Sequence, residues 1–189
     1  MRFITNHSSG RMGYALASAC ADAGARVTLI SGPTALDIPP GVERVDVQSA
    51  ADMHAAVMAV IDMADIFIGA AAVADYRPAT TAADKIKKSD GDTSLALTRT
   101  RDIIADVAAA HPYLFTVGFA AETTGMEASA RAKRERKKLS MVAGNIVGPA
   151  HRLRARHGLV VEVESAREVP AGFGDRGTHQ GALHWSLDL

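Results

Sequence analysis

Ile4-Thr5-Asn6-His7-Ser8-Ser9-Gly10-Arg11-Met12-Gly13-Tyr14-Ala15 reads as the end of a strand, a small polar turn and the start of a helix. Ser8, Ser9 and Gly10 sit where the first helical N–H groups have no partner within the helix. A helix N-terminus carries partial positive charge, so this turn can hold a phosphate. Helical spacing continues through Met12, Ala15, Leu16, Ala19 and Ala23, and Gly24 is placed to end the helix.

The same alternation runs outward from that unit. Arg26-Val27-Thr28-Leu29-Ile30 is a short strand closed by Ser31-Gly32-Pro33, and Val42 to Val47 is another. Met53, Ala56, Val57, Val60 and Ile61 mark a helix, Ala64 to Ile68 a strand. A long loop leads to a helix marked by Ile103, Ile104, Val107 and Ala108. Leu114 to Phe119 is a strand, a helix runs from Met126 to Lys138, and Met141 to Val147 is a further core strand. Strands apolar on both faces, separated by helices, predict an α/β fold. Its sheet is mainly parallel, with right-handed crossovers and helices on both faces. Such sheets bind ligands beyond the carboxyl ends of their strands. The loops after Thr5, Ile68 and Val117 are expected on that edge. From Gly148 the periodicity stops, and residues 151–189 offer one candidate strand, Leu159 to Val163. The expected organisation is a domain over residues 1–150 and a divergent tail over 151–189.

Composition narrows the class. A chain of 189 residues is expected to form one domain with a sizeable core. Lysine plus arginine equals aspartate plus glutamate, 21 each, and aromatics make up 5%, which argues against a nucleic-acid partner. The single cysteine, Cys20, excludes an internal disulfide and fits a reducing compartment. No apolar run approaches the ~18 residues of a membrane span, and no secretory signal is seen, so a cytoplasmic location is expected.

The residues fit for chemistry lie in a few places. Ile66-Phe67-Ile68 runs into Gly69-Ala70-Ala71-Ala72-Val73-Ala74-Asp75-Tyr76-Arg77-Pro78, then Lys85-Ile86-Lys87-Lys88. Small side chains let a ligand approach the backbone closely. Asp75 is placed to accept from a base or sugar or to hold Mg²⁺, or serves as a turn residue before Arg77-Pro78. Thr80 to Thr93 reads as a flap or as a solvated loop. Arg131, Lys133, Arg134, Arg136, Lys137 and Lys138 crowd one helix end. Lys133 and Lys137 share a helix face, suited to a triphosphate or simply to the helix dipole. The Asn6 amide can donate to a developing oxyanion without titrating. Gly118 to Glu122 reads as a loop in which Phe119 packs against a flat ring or the core. No nucleophile–His–acid arrangement and no CxxC or HExxH metal pattern is present.

Four segments, in this order, carry a resemblance: Arg2 to Gly13, Gly69 to Tyr76, Lys85 to Lys88, and Val117-Gly118-Phe119-Ala120-Ala121-Glu122-Thr123. They closely resemble phosphopantothenoylcysteine synthetase, also called phosphopantothenate–cysteine ligase, over about residues 2–147. In bacteria this is usually the C-terminal half of a bifunctional coenzyme A biosynthesis protein, fused to a flavin-dependent decarboxylase. The resemblance implies a Rossmann-like fold, a homodimer, and a ligation dependent on CTP and Mg²⁺. The carboxylate of 4′-phosphopantothenate attacks the α-phosphate of CTP, and the acyl-cytidylate then meets the amine of L-cysteine. It implies catalytic roles for Asn6 and for Lys85 on a closing flap. Nucleotide contacts are implied for Gly69, Ala70, Ala71, Asp75, Arg101, Asp102, Ile103, Ile104, Phe119, Lys133 and Lys137. Ser8, Ser9, Gly10 and Ala72 are implied to hold phosphopantothenate, and no side chain is assigned to the metal.

The chain also departs from the family pattern. A strand and turn of the type T-A-G-G-T-x-E-x-I-D-P-V-R stands before Arg2 in the family. Arg101 replaces a usual proline and Ser140 a usual aspartate, and the tail after about residue 150 lacks the expected closing elements. An inactive truncated domain that keeps dimerisation or nucleotide binding is the alternative. An NAD(P)-linked short-chain oxidoreductase is weaker. The glycines are not spaced G-x-G-x-x-G, Ser31-Gly32 stands where an acidic residue belongs, and no Y-x-x-x-K pair occurs.

Overall fold

The computed structural model describes residues 6, 8–80, 94–122, 125–146 and 160–163. The chain divides into two compact units, Met1–Ala59 with Ala71–Asp102, and Val60–Ala70 with Ile103–Leu189.

The first unit opens with α1 (Arg11–Asp22). Gly10 precedes it at φ 74°, a left-handed conformation that a side chain would strain. The helix ends as expected near Gly24, whose φ is 89°. Strands β1 (Val27–Ser31) and β2 (Val42–Asp46) pair in parallel, in register from Val27↔Val42 to Ser31↔Asp46. Helix α2 (Ala50–Val60) starts earlier than its apolar residues suggest. Ser49 and Asp52 form a capping box there. The Ser49 N–H donates to the Asp52 carboxylate (3.0 Å) and the Asp52 N–H to Ser49 Oγ (3.1 Å).

The sequence predicted a long loop from Gly69 to Asp102, but the structure places an antiparallel ribbon there. Its strands are β4 (Tyr76–Pro78) and β5 (Leu97–Arg99), paired Tyr76↔Arg99 to Pro78↔Leu97. Three residues per strand give too little alternation to read, and Pro78 argues against a strand except at an edge. The Arg99 guanidinium lies 5.9 Å from the centre of the Tyr76 ring. Residues 81–93, with Lys85, Lys87 and Lys88, lie outside the described residues.

The second unit holds β3 (Ile66–Gly69), α3 (Ile103–Ala110), β6 (Phe115–Glu122), α4 (Met126–Lys137), β7 (Met141–Ile146) and β8 (Val160–Val163). The sheet order is β3-β6-β7-β8. The first three strands are parallel, as expected, and β8 joins antiparallel to β7 from the place where the tail's candidate strand was read. Ala108, Ala120, Ala130, Leu139 and Val142 form the core, with Ile104 packed on it.

One expectation needs correction here. Gly118 to Glu122 is not a loop but the second half of β6, paired with β7 as far as Glu122↔Ile146. Glycine and alanine have weak strand propensity, so the segment reads as irregular. Burial of Ala120 and a full set of pairings with β7 override that preference.

Thr116 and Ser140 are 1% and 2% exposed. Each hydroxyl accepts the other residue's backbone N–H, at 3.1 Å for Thr116 N to Ser140 Oγ and 3.2 Å for Ser140 N to Thr116 Oγ1. The residue that replaces the family's usual aspartate is thus a satisfied core serine. Thr116→Val keeps the shape and strands the Ser140 N–H, so a loss of about 1–3 kcal/mol is expected in urea unfolding. An unchanged midpoint would show that the pair contributes nothing net.

Candidate functional site

In the first unit Ser8 to Gly10 lead into α1, whereas the expected strand end at Ile4 and Thr5 lies outside the described residues. Ser8 Oγ accepts the Gly10 N–H (3.3 Å) and Ser9 Oγ the Arg11 N–H (3.5 Å). The Gly10 carbonyl accepts the Tyr14 N–H (3.1 Å), the first bond of α1. Both serines are exposed, and a hydroxyl that accepts one bond still has its own hydrogen to give.

Asn6 reaches across 67 positions of sequence. Its Nδ2 donates to the carbonyl of Val73 at 3.2 Å. That bond ties the start of the turn to the small-residue segment carrying Ala71, Ala72 and Asp75. The ribbon contributes a second link. The Thr100 N–H donates to the Asp75 carbonyl at 2.8 Å, which brings Asp75 to the chain just before Arg101 and Asp102. The side chains of Asp75, Arg101 and Asp102 are exposed.

A buried polar group beneath the turn was not anticipated. Tyr14 and Ser31 are each 7% exposed, and their hydroxyls lie 3.0 Å apart. Ser31 Oγ also donates to the Gly32 carbonyl (2.9 Å). Arg44, on β2, donates to the Tyr14 hydroxyl and to the Leu36 carbonyl, both at 3.3 Å, and pairs with Asp46 at 3.0 Å. Arg44 does not stand out in the sequence, because β2, Val42-Glu43-Arg44-Val45-Asp46, also carries Glu43 and Asp46.

In the second unit, Gly69 and Gly118 are neighbours across β3 and β6. A Cβ on either would stand 3.0 or 3.1 Å from Ile104 Cδ1, so this side chain lies close over both glycines. Close packing at this point requires hydrogen in place of a side chain on β3 and β6. Phe119 follows on β6, half-buried. Its carbonyl accepts a hydrogen bond from Lys133 Nζ. Lys133 and Lys137 are both half-buried on α4.

The structure therefore gathers the predicted residues into two groups. Asn6, Ser8, Ser9, Gly10, Ala71, Ala72, Asp75, Arg101 and Asp102 belong to the first unit. Gly69, Ala70, Ile103, Ile104, Phe119, Lys133 and Lys137 belong to the second. Lys85 lies outside the described residues. Among the described residues no group of three or more His, Cys, Asp or Glu is placed to hold a metal ion. Cys20 is half-buried and free, and burial pushes its thiol pKa up. No helix among the described residues is long and apolar enough to cross a membrane.

Comparison with known proteins agrees with the motifs. Residues 1–170 match the family described as DNA/pantothenate metabolism flavoprotein C-terminal domain. The bifunctional coenzyme A biosynthesis protein CoaBC of Vibrio cholerae is 55% identical over 153 residues, which is 79% of this chain and 38% of that protein. The CoaBC of Bacillus subtilis is 50% identical over 148 residues, 78% of this chain and 36% of that protein. The chain thus spans well under half the length of these curated relatives. A crystal structure of a CoaBC C-terminal domain superposes with a TM-score of 0.72 at 36% identity, covering 87% of this chain and 74% of that one. A DNA/pantothenate metabolism flavoprotein from Streptococcus pneumoniae shares the fold at 22% identity and a TM-score of 0.72, covering 87% and 82%. The chain belongs to the DNA/pantothenate metabolism flavoprotein C-terminal domain family, that of phosphopantothenoylcysteine synthetase.

Proposed function

We propose that the chain ligates 4′-phosphopantothenate to L-cysteine in coenzyme A biosynthesis, with CTP as the activating nucleotide. In the first step the substrate carboxylate attacks the α-phosphate, and pyrophosphate leaves. In the second, the cysteine amine attacks the acyl carbon, loses a proton, and CMP departs with the former carboxylate oxygen. Ser8, Ser9 and Gly10 hold the phosphate of phosphopantothenate, with Ala72 beside its chain. Asn6 positions the acyl-cytidylate for the amine. Gly69, Ala70 and Ala71, with Arg101 to Ile104, offer backbone contacts to the nucleotide, and Asp75 accepts from it. Phe119 packs on the base, while Lys133, Lys137 and Lys85 neutralise the triphosphate. Bound Mg²⁺ supplies further neutralisation of phosphate charge. The working unit is a homodimer, accompanied by a flavin-dependent decarboxylase of the kind fused in the relatives, in the cytoplasm.

The observation that carries this reading is the Asn6–Val73 bond. It makes one feature of two segments whose residue types serve the two halves of the chemistry. The dinucleotide alternative loses support at Ser31. A ribose-binding residue at the end of β1 should be open, whereas Ser31 is buried and its hydroxyl engaged with Tyr14 and Gly32.

The test is pyrophosphate release from CTP with Mg²⁺ and 4′-phosphopantothenate, with and without cysteine, and with ATP in parallel. Release that depends on phosphopantothenate, with amide appearing only when cysteine is added, is the expected result. Folded protein that binds CTP but releases nothing would replace the ligase by a nucleotide-binding domain.

A further inference from the structure

Arg44 is only 21% exposed in its side chain, yet β2 carries it with a full charge. A guanidinium withdrawn from water needs partners for its fixed fork of donors. Here the partners come from three parts of the first unit. Nη1 donates to the Tyr14 hydroxyl of α1 and to the Leu36 carbonyl between β1 and β2, each at 3.3 Å. Nη2 donates to one Asp46 carboxylate oxygen at 3.3 Å, while Nε lies 3.0 Å from the other as an ion pair and makes no hydrogen bond. The Tyr14 hydroxyl, in turn, lies 3.0 Å from Ser31 Oγ at the end of β1.

The two residues tied by Nη1 are also two of the three whose side chains hem in the polar turn. A Cβ on Gly10 would stand 3.6 Å from Leu36 Cδ1, 3.8 Å from Thr34 Oγ1 and 3.9 Å from Tyr14 Cδ2. Thr34 belongs to the same segment, its Oγ1 accepting the Leu36 N–H at 3.3 Å. The walls of the Gly10 turn are therefore the groups that one arginine clamps to each other. We infer that Arg44 is a positioning residue for the Ser8–Gly10 turn, setting its fit to a phosphate monoester without touching the ligand. The inference rests on the assignment of that turn to phosphopantothenate.

A helix start that presents N–H groups to phosphate depends on their direction, and small misplacements are costly. Lysine cannot replace the fork, because its ammonium is a point charge without planar, paired donors. Calorimetric binding of 4′-phosphopantothenate without nucleotide, followed by steady-state kinetics, separates the possibilities. Arg44→Lys and Arg44→Met are expected to weaken that binding, and to raise the KM for 4′-phosphopantothenate, by roughly 5–50-fold. The KM for CTP is expected to stay within about twofold, since no group held by Arg44 is assigned to the nucleotide. Tyr14→Phe keeps the ring against Gly10 and removes the hydroxyl, so a smaller change of the same kind is expected. It also decides the matter if the Arg44 variants do not fold. A purely structural arginine would lower the melting temperature and leave the KM values of folded protein unsplit, which overturns the inference. Wild-type protein that binds no 4′-phosphopantothenate overturns the ligase reading itself, and this inference with it. Wild-type binding, with equal affinity in the folded variants, overturns the role of Arg44 alone.

Discussion

Asn6→Asp is expected to keep phosphopantothenate-dependent pyrophosphate release and to cut amide formation by about 10²–10³-fold. The two side chains have nearly the same shape, so packing is not at issue. What changes is the donor. Asn6 Nδ2 gives a hydrogen to the Val73 carbonyl at 3.2 Å, whereas a carboxylate there would place oxygen against oxygen. The proposed mechanism needs this amide when cysteine meets the acyl-cytidylate, where charge builds on the carbonyl oxygen. It does not need it for attack on the α-phosphate. Rapid-quench assays that follow pyrophosphate and amide separately read the split directly. Equal loss of both products would mean that Asn6 shapes the whole site through Val73. Unchanged amide formation would remove it from the mechanism.

The second large effect concerns stability. Leu139 is 2% exposed and is delivered to the core by Lys138, which takes the left-handed conformation at φ 54° to close α4. Leu139→Ala is expected to cost about 2–5 kcal/mol, lost transfer energy plus the cavity. Gly118→Ala fails for the opposite reason. Its new Cβ would stand 2.8 Å from Leu139 Cδ1 and 3.1 Å from Ile104 Cδ1, an overpacking worth roughly 1–3 kcal/mol. The two defects are complementary, because truncating Leu139 vacates the space the added methyl needs. The double variant should therefore lose clearly less than the sum of the singles in urea unfolding. Losses that add within about 0.5 kcal/mol would show that the leucine and the glycine do not compete for that volume.

Much of this architecture is legible from local chemistry. Apolar runs of strand length, helical spacing and glycine stops placed α1, β1, β2, α3, α4 and β7 to within a few residues. Ser8 and Ser9 announced a helix start because their small polar side chains bond to the backbone beside them. Other local signals were present and unread. Ser49 and Asp52 spell a capping box that sets the start of α2. Arg44 was not among them, since β2 also carries Glu43 and Asp46.

What the sequence by itself determined was the α/β alternation, the family and the list of residue types fit for phosphate chemistry. Only the tertiary structure decided their partners. It joined Asn6 to Val73, Arg44 to Tyr14 and Leu36, Thr116 to Ser140, and Lys133 to the carbonyl of Phe119. It also turned Gly118 to Glu122 from an expected loop into strand, and built a ribbon from residues too few to show alternation. The reason is physical. Periodicity and turn chemistry act over a few residues and are written along the chain. A buried polar group is satisfied by whatever donor or acceptor the packed backbone brings within about 3 Å. Spacing along the chain does not name that partner, so it becomes visible only once the sheet and helices are in place.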